Sequence, residues 1–157
     1  MSGREHATNR SPITARGTIE RERGPMGDRV PFREGLFSER PGDVCLTGSR
    51  CRSCGRIYFP GRTLCLDCLA EDLAQIGFGR EVRLYSYTVS HMASLHFGAP
   101  YYAGWVDVSE GVRVFAPLLV DEGMLLKIGM TMELTIDELW REGERSVVGY
   151  KFKPVRQ

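Results

Sequence analysis

Cys51-Arg52-Ser53-Cys54-Gly55-Arg56 and Cys65-Leu66-Asp67-Cys68 carry two C-x2-C pairs separated by ten residues. Two cysteines three apart can face one ion from a tight turn, and two such turns together supply four thiolates at about 2.3 Å from a tetrahedral zinc. Gly55, directly after the first pair, permits the left-handed turn that aims backbone N–H groups at sulfur. The second pair lacks that glycine, so its turn is expected to run on into a short helix with Leu66, Leu69 and Leu73 at helical spacing. The candidate ligands are Cys51, Cys54, Cys65 and Cys68. Zinc held by four cysteines is structural, because the closed shell leaves no position for water or substrate. Iron, as in rubredoxins, is the other metal these ligands accept. Two disulfides would need an oxidising compartment, and Met1 to Pro25 has no apolar run of secretory type. Zinc with four ionised ligands would take the formal net charge of +1 to about −1. Cys45 stands apart and reads as a small buried hydrophobe.

Around this core of cysteines, 157 residues make one ordinary domain or two very small ones, too few for a large two-domain enzyme. No segment approaches the roughly 18 apolar residues of a membrane span. A cytoplasmic protein with no membrane partner is expected. Residues 1–30 hold six Arg against four acids, residues 31–79 six against six, and residues 80–157 nine Lys or Arg against ten acids. A module that neutralises phosphodiester backbones shows a marked positive balance, so nucleic acid is not an expected partner.

The organisation reads as three parts. Residues 1–30, polar and without a period, form a flexible extension. Residues 31–79 form a helical lead and zinc ribbon, with Phe32, Leu36 and Phe37 on one side of a short helix that Pro41-Gly42 stops. Gly77-Phe78-Gly79 reads as the exit hinge of the ribbon. From Arg80 to Gln157 the period changes to two, and five strands follow: Arg80 to His91, Tyr102 to Val108, Val112 to Val120, Met130 to Ile136 and Val147 to Phe152. A long first strand and five-strand alternation predict a closed OB-type barrel, its usual helix reduced to a short connection near Leu125 to Ile128. The fold class is therefore mostly β: a rubredoxin-like zinc ribbon with a short helix, then a five-stranded OB-fold barrel.

The order of motifs carries a resemblance. A polar lead, C-x2-C-G, C-x2-C, an expected short helix, Gly77-x-Gly79, Tyr85-Ser86-Tyr87-Thr88-Val89, Pro100-Tyr101-Tyr102 and Lys127-Ile128-Gly129-Met130 together resemble the zinc-ribbon plus OB-fold family of acyl-CoA-associated proteins over residues 32 to 155. Members accompany thiolases, thiolase-like aldolases and hydroxymethylglutaryl-CoA synthase-type enzymes. Within it the chain is most similar to small, non-catalytic subunits of the benzylsuccinyl-CoA thiolase type, from anaerobic toluene breakdown. The resemblance implies a thiolase-like catalytic partner in a hetero-oligomer, acyl-CoA as a shared ligand, and zinc on the four cysteines; it carries no shared catalytic residue.

The residues agree with a subunit that does no chemistry alone. Thiolase-type cleavage needs an activated cysteine, an acid/base partner and oxyanion donors, whereas the histidines here are His6 in the lead and His91 and His96 in one loop. That loop, His91 to Tyr102, is apolar and aromatic, and His91, Met92, His96, Phe97, Tyr101 and Tyr102 are its candidate partner or acyl-CoA contacts. The bland reading is a lid on the barrel's own core. Two other functions compete: a nucleic-acid module stacking bases on Tyr85, Tyr87, Tyr102 and Phe115, and an iron electron carrier.

Overall fold

The computed structural model describes residues 29–40, 42–108 and 111–155. Ten strands make up two sheets: β1 (Arg29–Pro31), β2 (Phe37–Arg40), β3 (Asp43–Cys51), β4 (Ile57–Tyr58), β5 (Leu73–Gly77), β6 (Glu81–Ser90), β7 (Tyr101–Asp107), β8 (Arg113–Leu118), β9 (Thr131–Glu142) and β10 (Arg145–Pro154). The five predicted barrel strands are β6 to β10. β6 pairs with β7 and β9, β7 with β8, β9 with β10, and the ring closes where β8 meets β10 in parallel at Leu118 and Phe152. This is a closed five-stranded barrel, small enough for side chains to fill.

Alternation explains the filling. Val82 and Leu84 of β6, Val106 of β7, Val114 and Leu118 of β8, Met132 and Leu134 of β9 and Phe152 of β10 point inward and are buried together. Leu126, in the connection between β8 and β9, is buried with them. That connection holds no helix, as expected, and Leu126 is its one buried core residue, with Val120 and Met130 partly buried against the core.

The second sheet is the ribbon. Its central strand β3 pairs antiparallel with β2, β4 and β5. It is packed on the barrel by side chains from both: Leu46 of β3 and Phe78 sit fully in the barrel core, and Phe59 contacts both Phe78 and Tyr150 of β10 at ring separations of 6.0 and 5.7 Å. Gly48 allows this approach, because a Cβ there would run into the Tyr58 carbonyl and the Phe78 ring. Phe78 corrects the sequence expectation of a simple hinge at residues 77–79. Its N–H donates to the Leu46 carbonyl at 2.9 Å, and its ring belongs to the core.

Three further expectations change. Residues 1–28 of the extension lie outside the described residues, but Arg29 and Val30, assigned to it, form β1 in parallel with β10. The backbone continues that pairing as Phe32 N–H donates to Val148 O, and the Phe32 ring packs on Tyr150 at 5.8 Å. Among the described residues between 31 and 42 there is no helix. Pro31 lies in β1, Gly35 has φ +75°, and Phe37–Arg40 pair with β3, so too few residues remain for stable helical turns. Leu36 is buried nonetheless, and its carbonyl accepts from Thr47 N–H. The third change, in the second cysteine turn, belongs to the metal centre.

Candidate metal centre

The two cysteine turns are built alike. In the first, Gly55 N–H donates to Cys51 O at 2.9 Å and Cys51 N–H donates to Arg56 O at 2.8 Å. In the second, Leu69 N–H donates to Cys65 O at 3.0 Å and Cys65 N–H donates to Ala70 O at 2.9 Å. Gly55 has φ +75° and Leu69 φ +59°. Leu69 thus takes the left-handed position that glycine occupies in the first turn, and the predicted helix is absent. A helix would carry the chain onward at residue 69, whereas closure of the same turn around sulfur requires reversal there, and Leu73 already begins β5.

These turns bring Cys51, Cys54, Cys65 and Cys68 together, with all four Sγ atoms within 4.8 Å of one another. The Cys51–Cys68 and Cys54–Cys65 separations are 3.6 and 3.5 Å. A tetrahedron with Zn–S bonds of about 2.3 Å has edges of about 3.8 Å, so the donor set fits zinc with small adjustments. In each pair the first cysteine is buried and the second exposed. Cys51 is held below the ordinary thiol range chiefly by the Cys54 N–H, and Cys65 is brought down to about 6 chiefly by the Tyr58 hydroxyl. Cys68 moves up to about 12: the Ala70 N–H opposes this, but Cys65, burial and the other thiols outweigh it. A bound dication would favour the ionised form of all four thiols.

A polar network joins the turns from outside. Arg56, just past the first turn, forks onto both carboxylate oxygens of Asp67 in the second at 2.9 Å. Tyr58 of β4 donates to Asp67 Oδ2 at 2.6 Å, accepts from Leu66 N–H at 3.0 Å and lies 3.2 Å from Cys65 Sγ. Arg56, then Tyr58, hold the Asp67 carboxyl below its ordinary range. Burial, then Asp67, push the Tyr58 hydroxyl up. The paired fork fixes the two turns relative to each other. Sequence reasoning missed these three residues; their nearness to the cysteine pairs was the available signal.

The other sequence candidates are spread over the barrel. In the loop after β6, His91 is exposed, and Met92 and Leu95 are 81% and 91% exposed. His96 stacks on Trp140 of β9 at 4.3 Å, and Phe97 packs on Tyr101 at 5.4 Å. Tyr102 packs against the barrel core. The loop therefore has a side resting on its own barrel and another facing solvent. Cys45 is half-buried in an open cavity of about 800 Å³ beside Thr47 and Gly77, and burial, then Asp43, push its thiol up. Trp105, unmarked in the sequence reading, pairs with Phe115 at 5.2 Å on the outer barrel face, where Arg113 lies over Tyr85 and bonds Asp107 at 2.6 Å.

Two family models match successive parts of the chain. Residues 46–74 match the family described as ChsH2, rubredoxin-like zinc ribbon domain, and residues 78–137 match ChsH2, C-terminal OB-fold domain. A DUF35 domain-containing scaffold protein of Methanocaldococcus jannaschii is 33% identical over 116 residues, covering 71% of this chain and 82% of the relative. Benzoylsuccinyl-CoA thiolase subunit BbsA of Thauera aromatica is 30% identical over 112 residues, covering 70% and 76%. The acyl group in its name is benzoylsuccinyl, where the sequence resemblance has benzylsuccinyl. Among solved structures, the Ltp2-ChsH2(DUF35) aldolase superposes with TM-score 0.58 at 26% identity, covering 70% of this chain and 84% of the other. The chain belongs to the DUF35 family, in which a ChsH2-type zinc ribbon precedes an OB-fold domain.

Proposed function

We propose that this chain is a non-catalytic accessory subunit of a thiolase-like, acyl-CoA-processing complex in the cytoplasm. Its ribbon spans residues 32–79 and its barrel residues 80–157, with β1 paired to β10. One structural zinc is held by Cys51, Cys54, Cys65 and Cys68. The observation that carries this reading is the four-thiol cluster. With every ligand a cysteine, a bound zinc has no open position, so the centre shapes the ribbon and does no chemistry itself. The names of relatives support it: BbsA is a thiolase subunit and ChsH2(DUF35) stands with Ltp2 in an aldolase. The solvent side of the His91 to Tyr102 loop, with Met92 and Leu95 nearly bare, is offered as a contact for partner or acyl-CoA. Aromatic acyl groups, as in toluene breakdown, are the substrate class the BbsA likeness favours.

One observation favours a nucleic-acid reading, the outer aromatic face of Tyr85, Trp105 and Phe115. Its nearest cation, Arg113, is already bound to Asp107, and the barrel's acids outnumber its bases. The accessory reading is preferred for that reason.

The test is reconstitution with the thiolase-like subunit from the same genome. The pair is expected to cleave acyl-CoA and this chain alone to turn over none, with an interface of at least about 2,000 Å² as in permanent complexes. Turnover by this chain alone, or full activity and acyl-CoA affinity of the large subunit without it, would refute the reading. Submicromolar, salt-sensitive binding to an oligonucleotide would favour the competing one.

A further inference from the structure

Among the described residues, Leu69 is the one non-glycine residue with positive φ. The left-handed conformation is unfavourable for a residue with a Cβ and comfortable for glycine. Gly55 shows that glycine serves the matching position of the first turn with the same hydrogen-bond pattern. The turn itself therefore does not call for leucine. The core does not call for it either, because Leu69 is 70% exposed. A strained residue whose side chain serves neither local geometry nor packing points to a contact outside the chain.

Leu69 is not alone. Leu66, inside the same turn, is 58% exposed and Leu64, just before it, is 40% exposed. The charges beside them are partly matched: Asp67 is forked by Arg56 and Asp72 pairs with Arg52 at 3.6 Å, while Arg62 lies over the Tyr58 ring and, among the described residues, Glu71 has no ion pair. Three exposed leucines within six residues, flanked by the Asp67–Arg56 and Asp72–Arg52 pairs, complement an apolar cleft whose polar rim leaves Arg62 and Glu71 in water. This surface suits neither a phosphate backbone nor an anionic lipid surface: Arg52, Arg56 and Arg62 are balanced by Asp67, Glu71 and Asp72, and a zinc on four thiolates would leave the turn with a net negative charge.

We infer that the second zinc turn is a docking knob, with Leu64, Leu66 and Leu69 seated in an apolar cleft of the thiolase-like catalytic subunit. This rests on the accessory-subunit reading and deepens it. The metal, by fixing the turn, presents the knob in one orientation, which lowers the ordering cost of binding.

The experiment uses the full-length, zinc-loaded chain and its Leu69→Gly and Leu66→Ser variants. Binding of the wild-type chain to the catalytic subunit is measured first by calorimetry, and no binding would remove the accessory reading and this inference together. Given wild-type binding, Leu69→Gly is expected to melt at the same or a higher temperature yet bind at least 10-fold more weakly. Adding Leu66→Ser should weaken binding about 100-fold. A dissociation constant within 3-fold of wild type in the double variant overturns the knob and leaves the accessory reading standing. Loss of thermal stability in Leu69→Gly also overturns it, since the leucine would then serve the ribbon itself. Sedimentation of the isolated chain reads the third arm: self-association abolished by the variants, with hetero-binding unchanged, would make a second copy the occupant and refute the proposal.

Discussion

The ribbon and the barrel solve the same problem by different means. The barrel buries a continuous apolar interior from five strands, and its ring of pairing leaves few open edges. The ribbon has short strands, two of only two and four residues, and gives its largest buried side chains, Leu46 and Phe78, to the barrel rather than to a core of its own. What remains to hold its outer half is the cluster of four thiols and the network around it. The difference teaches where each region is vulnerable: the barrel to loss of buried volume, the ribbon to loss of its metal.

The largest expected effect follows from that contrast. Cys54→Ser removes one thiolate from the four, and metal binding supplies on the order of 10 kcal/mol to small zinc domains. The variant should lose stoichiometric zinc and lose amide-exchange protection in β3 to β5 while β6 to β10 stay protected. Mass-spectrometric metal content and hydrogen exchange check this. Stoichiometric zinc with a native melting curve would contradict the ligand assignment. Simultaneous loss of protection in the barrel would break the contrast, making ribbon and barrel one cooperative unit through Leu46 and Phe78.

A smaller effect is expected one step out from the metal. Tyr58→Phe removes the hydroxyl that meets both Asp67 and Cys65, and Asp67→Asn removes the charge that Arg56 grips. Residues that orient metal ligands typically change affinity by about 10–100-fold. Each variant should keep zinc at saturating concentration and surrender it sooner to a competing chelator, with the barrel's melting unaffected. Affinity unchanged in both would mean that the thiols alone define the site, and that the Arg56–Asp67–Tyr58 network serves only the surface.

The legibility of the sequence followed the range of the interactions. Paired cysteines and alternating strands are local patterns, so the closed thiol set and all five barrel strands could be read, down to the missing helix between β8 and β9. Leu69 could not. Propensity argues against leucine at positive φ, and only closure of the turn around the cysteine sulfurs imposes it. β1 was invisible because its partner lies more than a hundred residues away, with Arg29 opposite Ser146. The Gly77-Phe78-Gly79 segment was read from its glycines, whereas the phenylalanine between them decides its role through contacts with Leu46 and Phe59. Arg56, Tyr58 and Asp67 are ordinary surface residues until the two turns meet.

The smallest effect sharpens the barrel's side of the comparison. Glu138 of β9 accepts a hydrogen bond from the Ser146 hydroxyl at 2.8 Å and pairs with Arg141 at 3.0 Å, with 36% of its side chain exposed. Ser146 first, and then Arg141, hold its carboxyl below the ordinary 4.5. A carboxylate with a lowered folded-state pKa adds stability that is complete above its unfolded value and disappears as pH falls through the folded one. Solvent screening limits such a partly exposed group to about 1 kcal/mol or less. Glu138→Gln should therefore be slightly less stable than wild type at pH 7, and the gap should close as the pH is lowered through and below 4.5. Urea unfolding of both proteins at each pH reads the difference, so any release of zinc in acid, common to both, cancels. A gap independent of pH would mean that the charge is not what the site uses. A gap well beyond 1 kcal/mol would place part of the barrel's stability in its surface ionic contacts, against the view that buried volume holds it.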